Sequence, residues 1–434
     1  MQSLDEQEKE QLRESRNAQR QKHQRMRKLR RRLFLGVLAV IAVLAAVLIV
    51  RGCRKTPQPA AEIVLPENAE VQSEALPDGQ NTVVRIAAVG DIMIGDDQLA
   101  AARQADGSYD FTSCFAPISA YTMAVDLTVG NLELNFCGEP YCGKPDFRAP
   151  EALAKTLSGI GFDVLQTANS FSIQNGLTGL RSTMDTLERW QISPLGTYRS
   201  EEEKSACGGV LLKNVNGMRI AMLGFTKGLN NLSLPENEEY AVDLLYEDYA
   251  TDYTVIAEDA IVRSVENAKA LSPDLTIAML HWGSEFDRGV TAKQEKIASL
   301  LLENGVDVIL GSHSHMAGKL EQRTVTRSDG TERNCVIAYS LGNFYADQTQ
   351  AHTMQSMLLN LTATKNGATG ETTLTDVSYT PICTVKQDRE HPTFEVLPIR
   401  AAIRSGQFED FRQTLTDAIA DLRTATESDL DSGE

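Results

Sequence analysis

The residues of this 434-residue chain best suited to chemistry recur in one setting, just past short apolar runs. Asp91 follows Ala-Ala-Val-Gly, and Asn131 and Glu133 follow Thr-Val-Gly. Asn169 follows Gln-Thr-Ala, and His281 follows Ala-Met-Leu. His313 and His315 follow Ile-Leu-Gly-Ser, and Asn343 follows Ser-Leu-Gly. Carboxylates, amides and imidazoles are the donors that hard and borderline divalent ions take, Mn²⁺, Fe²⁺ and Zn²⁺ among them. There are six histidines, and three of the five beyond the N-terminal region belong to this set. In an ideal strand residues i and i+2 share a face, so His313 and His315 are expected to reach one centre together. Each motif alone is weak, because Gly-Asp or Gly-Asn after a strand is often only a tight turn.

Two kinds of element must position these groups. The runs Val83–Val89, Leu127–Val129, Val164–Thr167, Leu275–Leu280, Val306–Leu310 and Val336–Tyr339 are short and unalternated, as in strands buried on both faces. Helical stretches fall between them at 151–160, 178–190, 254–271 and 292–304, the last stopped by Gly305. This alternation predicts a layered α/β fold, with ligands outside the carboxyl ends of the strands. Asn216-Gly217 between two apolar runs predicts an antiparallel hairpin. The segments 357–364 and 372–385 read as two more strands, so the sheets are expected to be mixed. Residues 406–425 read as an amphipathic helix, and the acidic end 427–434 as frayed.

The motifs VGDIMIGDD, GNLELNF, FRAPEALAKTLSGIGFDVLQTAN, LHWGSEF, DVILGSHSHMAG and AYSLGNF together resemble the bacterial CapA family of poly-γ-glutamate capsule synthesis proteins, over about residues 83–347. That resemblance implies a calcineurin-like metallophosphoesterase domain, a four-layer α/β/β/α sandwich with two divalent-ion sites. It implies Asp91, Glu133, Asn169, His281, His313 and His315 as metal ligands, with Asn131 and Asn343 as second-layer or substrate support. One motif departs from the family's Ala-Asn-Asn-His. Here Ala168-Asn169 continues as Ser170-Phe171, with Gln174 and Gly176 beyond. The resemblance puts the family's leaving-group acid at Phe171, which has no transferable proton, and so implies weak hydrolysis. Loss of a positioned acid typically costs ~10²–10⁴ in rate.

The charge is divided along the chain. Formal net charge is −17, yet residues 1–32 carry eleven Lys/Arg against five Asp/Glu. Residues 56–434 hold 28 basic and 54 acidic residues, a balance that excludes a general nucleic-acid binder. Leu33 to Val50 is 18 residues without a polar side chain, ~27 Å as a helix and near the ~30 Å hydrocarbon core. With Arg30, Arg31 and Arg32 before it, the positive-inside rule places 1–32 in the cytoplasm and the remainder outside. The expected organisation is a basic tail (1–32), a single transmembrane anchor (33–50), a Pro-rich flexible tether (51–81), a CapA-like domain (82–400), and a C-terminal helix with acidic tail (401–434).

The expected function is a membrane-anchored, extracytoplasmic part of capsule biosynthesis or export with a partly degenerate metal site. Its expected partners are the cell membrane, capsule-synthesis membrane proteins and an anionic polymer. The alternatives are an active extracytoplasmic phosphoesterase or envelope-polymer hydrolase, and an ectodomain whose polar loops only cap strands. Arg148, Lys144, Arg288 and Lys319 lie near the motif loops, where they are either local cationic relief or ordinary solvated charge. Seven cysteines are too few for a disulfide scaffold, though Cys137 and Cys142 are close enough for a local bridge.

Overall fold

The computed structural model describes residues 79–388 and 392–433. The basic tail, the apolar run 33–50 and nearly all of the expected tether lie outside the described residues. Among the described residues, no helix is long and apolar enough to cross a membrane.

Two mixed sheets form the centre. The first runs β14 (Thr393–Pro398), β13 (Thr372–Gln387), β12 (Gln355–Lys365), β1 (Thr82–Ile92), β2 (Leu127–Leu132), β3 (Val164–Gln166), β4 (Ser193–Leu195), with β11 (Asn343–Tyr345) on the end of β1. From β1 to β4 its neighbours are parallel, and from β1 to β14 antiparallel. The second runs β5 (Leu211–Val215), β6 (Met218–Thr226), β7 (Leu275–His281), β8 (Val308–Ser312), β10 (Glu332–Ala338), β9 (Leu320–Thr326). Its four inner strands are parallel and its two edges are hairpins. Asn216 and Gly217 take φ of 52° and 84°, the left-handed pair that a tight β5–β6 turn needs.

Alternation along the strands sorts side chains between layers. Ile86 and Ala88 of β1 pack with Ile220, Met222, Ile277 and Leu310 in an apolar layer between the sheets. Ala87 and Val89 point the other way, toward Leu153 and Leu157 of helix Glu151–Gly159 and Leu187 of helix Gly176–Arg189. Beyond the second sheet, Leu223, Ala278 and Leu280 meet Ile261 and Val265 of helix Glu258–Ala270 and Ile297 and Leu301 of helix Ala292–Asn304. The result is an α/β fold of helices, sheet, sheet and helices. Thr291 and Gln294 close a capping box at the start of helix Ala292–Asn304, and Gly305 ends it. Helix Glu258–Ala270 starts four residues later than the sequence reading. The carboxylate of Asp248 accepts from the backbone of Thr254 and Val255 and holds that stretch in a turn.

Helix Arg412–Thr426 buries Leu415, Ala418 and Leu422 in the layer between the sheets. The residues after it do not fray as the sequence reading expected. Tyr379 N donates to Leu430 O at 2.8 Å, Ser432 N donates to Tyr379 O at 2.9 Å, and Asp431 pairs with Arg400 and Arg423. An acidic stretch stays ordered here because two arginines and a strand edge receive it. The six described cysteines are all free, so Cys137 and Cys142 form no bridge; Cys137 Sγ instead lies 3.1 Å from Arg148 Nε.

Asp421 ties this helix to the loop after β7. Its carboxylate takes Arg288 Nη1 at 3.0 Å and Nη2 at 2.5 Å, Gln355 Nε2 at 2.6 Å and His352 Nδ1 at 3.0 Å. Burial opposes its ionisation, but Arg288, Gln355 and His352 outweigh it and hold the group at about 2. The unfolded value is ~3.9, so this stabilisation is complete above about pH 4 and disappears as pH falls through about 2. Asp421→Asn is expected to cost about 1–2 kcal/mol at neutral pH, with the deficit shrinking toward pH 2. Urea midpoints of both proteins across that range check it; a deficit independent of pH would mean the pair contributes shape alone.

Candidate metal centre

Gly90 and Gly342 let β11 lie tightly against the end of β1. A Cβ on Gly90 would lie 1.8 Å from Gly342 O, and Gly342 has φ of 77°. Without side chains there, Asp91 N donates to Gly342 O at 2.9 Å, and Asp91 sits level with Asn131 on β2 and Asn343 on β11. His281 closes β7 opposite Ser312, the last residue of β8. These residues meet at the carboxyl ends of parallel strands from both sheets.

Asp91, Glu133, His281, His313 and His315 are all buried and face one another there. They form two donor groups that could hold a metal ion, Glu133–His281–His313 and Asp91–Glu133–His315, each with its ligand atoms within 4.8 Å of one another. Glu133 belongs to both. Neither of its carboxylate oxygens has a hydrogen-bond partner, and His281 Nε2 lies 3.4 Å from Oε1. A buried, unpaired carboxylate is strongly unfavourable unless a cation completes it, so the donor set fits a divalent ion.

The other groups are held by hydrogen bonds. Asn131 Nδ2 donates to Asp91 Oδ1 at 2.7 Å and lies 3.3 Å from His281 Nδ1. Asp91 Oδ2 and Asn343 Oδ1 each lie 3.1 Å from His315 Nδ1, and two acceptors place the hydrogen on that nitrogen. Asn343 is fixed in turn by Gln348 Oε1 and Thr353 O. Burial opposes charge on His315, but Glu133 and Asp91 raise it to about 9. Burial likewise works against ionisation of Asp91, and His315, His281 and Asn131 reverse it, holding the carboxyl below its usual value. His313 is driven well below the usual imidazole value, first by burial and then by His281, Lys227 and His315, so its ring is neutral and keeps a lone pair.

The sequence reading put His313 and His315 just past a strand, sharing one centre. The strand ends at Ser312, and both histidines lie beyond it with left-handed φ of 94° and 60°. Their ring centres are 6.4 Å apart, and each joins a different donor group. Such strained backbone in non-glycine residues costs about 1–3 kcal/mol each, and it spreads the two rings across both groups.

Asn169, read as a ligand, lies beside the donor groups and is held by hydrogen bonds. Its Nδ2 donates to Leu132 O at 2.7 Å and Asn131 Oδ1 at 3.3 Å, and its Oδ1 accepts from Phe171 N at 3.0 Å. Ser170 also faces the donors, with Oγ 3.0 Å from His281 Nε2 and 3.5 Å from His313 Nδ1. Phe171 packs edge-on against Phe147, ring centres 4.6 Å apart.

Beside Ser170 and His313 lies a cavity of about 250 Å³ lined also by Lys227, Tyr253 and Glu285. The sequence reading passed over Lys227, although it follows the end of β6 as the other functional residues follow their strands. Of the four cations weighed earlier, Arg288 is held by Asp421, Lys319 by Glu321 and Arg148 by Cys137.

A buried carboxylate–imidazole cluster between two mixed sheets defines an α/β protein with a candidate metal centre. Residues 85–348 match the family described as bacterial capsule synthesis protein PGA_cap, and the chain belongs to that family. It is 28% identical over 297 residues to the capsule biosynthesis protein CapA of Bacillus anthracis, covering 66% of each chain. It is 26% identical to the PGA biosynthesis protein CapA of Bacillus subtilis (strain 168), over 70% of this chain and 75% of that one. About a third of the anthracis relative thus lies outside the match. Among solved structures, a phosphatase from Mycoplasma pneumoniae aligns at TM-score 0.41 and 11% identity, over 72% of this chain and 97% of that one. A 5'-nucleotidase precursor from Thermus thermophilus aligns at 0.40 and 12%, over 79% and 59%. Likeness this loose carries nothing about chemistry.

If Glu133 awaits a cation, Glu133→Gln removes the conflict and the binding together. The metal-free variant is expected to be at least as stable as the wild type. Wild type should gain about 2.7 kcal/mol at a hundredfold excess of Mn²⁺ or Zn²⁺ over Kd, and the variant should gain almost none. Thermal melts with and without ion check this; a strongly destabilised variant that keeps the metal gain would make Glu133 purely structural.

Proposed function

We propose that this chain is a membrane-anchored, extracytoplasmic member of its family, working in assembly or export of an anionic capsular polymer such as poly-γ-glutamate. Its strand-end cluster is read as a metallophosphoesterase-like centre for two divalent ions with weak hydrolytic power. The observation that carries the metal reading is Glu133, buried, unpaired and common to both donor groups. The anchor rests on the apolar run 33–50 and the basic residues before it.

Divalent ions held there supply Lewis-acid stabilisation of charge on a phosphoryl or carbonyl group. The chain's own residues do the remainder. Asp91, Glu133 and the three imidazoles bind, while Asn131 and Asn343 orient Asp91 and His315. Position 171 supplies no leaving-group proton, because phenylalanine has none to transfer; its ring lies against Phe147. The second reading, an efficient hydrolase, is favoured only by the completeness of the donor groups.

Leaving-group protonation matters less for aryl than for alkyl phosphates. The metal-loaded protein is expected to hydrolyse aryl phosphates slowly and alkyl phosphates hardly at all. Phe171→His, alone or with Ser170→Asn, should raise the alkyl rate by up to ~10²-fold. Rapid metal-dependent hydrolysis of both ester types by the unmodified protein would establish the second reading instead.

Orientation has a separate readout. Protease added to intact spheroplasts should digest the region after residue 56. Complete protection of that region would overturn the extracytoplasmic placement.

A further inference from the structure

The cavity beside His313 has a charge pattern that the metal centre does not use. Its floor is Ser170 and His313, so anything filling it lies against one donor group. Its one lysine is placed by backbone: Lys227 N donates to His281 O at 2.8 Å, which fixes it to the end of β7. Lys227 Nζ donates to Gly283 O at 2.6 Å and stands 4.7 Å from the centre of the Tyr253 ring. An ammonium has three hydrogens, so two remain for a ligand. Gly228 keeps the arrangement tight, since a Cβ there would fall 2.6 Å from the Tyr253 ring and 2.7 Å from Tyr249 O.

The rest of the lining narrows the ligand. Glu285 is on the rim, and it and Lys293 act on Lys227 through space only. Asn230 and Asn231 add two amides from a left-handed turn, φ 51° and 61°. One cation and one carboxylate face the same space among neutral polar groups. A phosphate dianion would satisfy Lys227 but meet Glu285. A neutral sugar would leave both charges unanswered. A unit with a carboxylate and a nitrogen-bound hydrogen on one carbon answers both. The volume, about 250 Å³, is just under the ~300–1,000 Å³ of ordinary small-molecule clefts, so it suits one such unit.

We propose that this cavity binds a single amino-acid unit, its carboxylate on Lys227 and its nitrogen toward Glu285, against the His281–His313 side of the metal centre. The inference rests on the capsule reading above and specifies what that site recognises. In a polymer linked through side-chain carboxyls, every unit keeps its α-carboxylate and the adjacent N–H. Each unit then presents the pair that Lys227 and Glu285 match, and a free amino end presents it most strongly.

The test is calorimetric titration of the purified full-length chain, with and without Mn²⁺, using three probes. D- or L-glutamine carries both groups, glutaramate carries the carboxylate without the α-nitrogen, and inorganic phosphate carries neither. Glutamine of one hand is expected to bind more tightly than glutaramate or phosphate. Lys227→Met should weaken glutamine roughly tenfold or more. Glu285→Gln should bring glutamine and glutaramate to similar affinity, weakening glutamine and tightening glutaramate. Metal content, measured on every variant, should not move. Tighter Lys227-dependent binding of phosphate, glutamine affinity indifferent to Lys227→Met, or no glutamine binding at millimolar concentration would each overturn the proposal. A wild-type chain that retains no metal yet binds glutamine through Lys227 would sink the metal reading and leave this one standing.

Discussion

A carboxylate sealed from water with neither oxygen hydrogen-bonded is the constraint from which the rest of this structure follows. Water compensates a carboxylate well, and moving one inside without a partner costs several kcal/mol even after relaxation. Glu133 is in that position, and the chain surrounds it with imidazoles rather than with arginine or lysine. An arginine would form a finished ion pair. Imidazoles leave room for an ion whose charge completes the set. The supporting amides have the same logic, since Asn131 and Asn343 bond Asp91 and His315 and leave Glu133 untouched.

Two sheets are needed to build such a cluster because no single strand end carries enough donors. Asp91 and Glu133 come from the first sheet, and His281, His313 and His315 from the second. Between β10 of the second sheet and β11 of the first, the chain crosses at Gly342, whose carbonyl touches Gly90 of β1 so closely that any side chain there would push the strands apart. The apolar layer between the sheets sets their spacing, and Asp421 clamps the outer loop through Arg288. Packing far from the cluster therefore decides whether its donors stay within reach of one ion.

Much of this is written locally in the sequence. Unalternated apolar runs followed by a polar or histidine residue mark buried strands, and those runs fall in β1, β2, β3, β7, β8 and β10, while the short or edge strands β4, β9, β11 and β14 were not read. What else escaped the sequence depends on turns rather than periods. The approach of Ser170 to His281 depends on the turn after β3, in which Asn169 bonds Leu132 O and Phe171 N. The left-handed backbone of His313 and His315 has no pattern that announces it. Lys227 was hidden for another reason. A lysine after a strand reads as solvated charge until the Tyr253 ring and Gly283 are seen to fold over it.

The surplus of acid in the chain makes its few inward cations decisive. Residues 56–434 carry 54 acidic against 28 basic residues, a field that repels an anionic polymer at a distance. Attraction must then be short-ranged, from a metal centre and from a lysine sheltered from screening. On the capsule reading, the exchange of the leaving-group acid for Phe171 belongs to the same arrangement. On the proposed reading, the centre would keep the charges that hold an anionic unit, while Phe171 offers no proton to a leaving group. Holding a chain end while it is extended or passed outward requires binding without cleavage, and an aromatic ring locked against Phe147 is a stable way to keep that proton donor out.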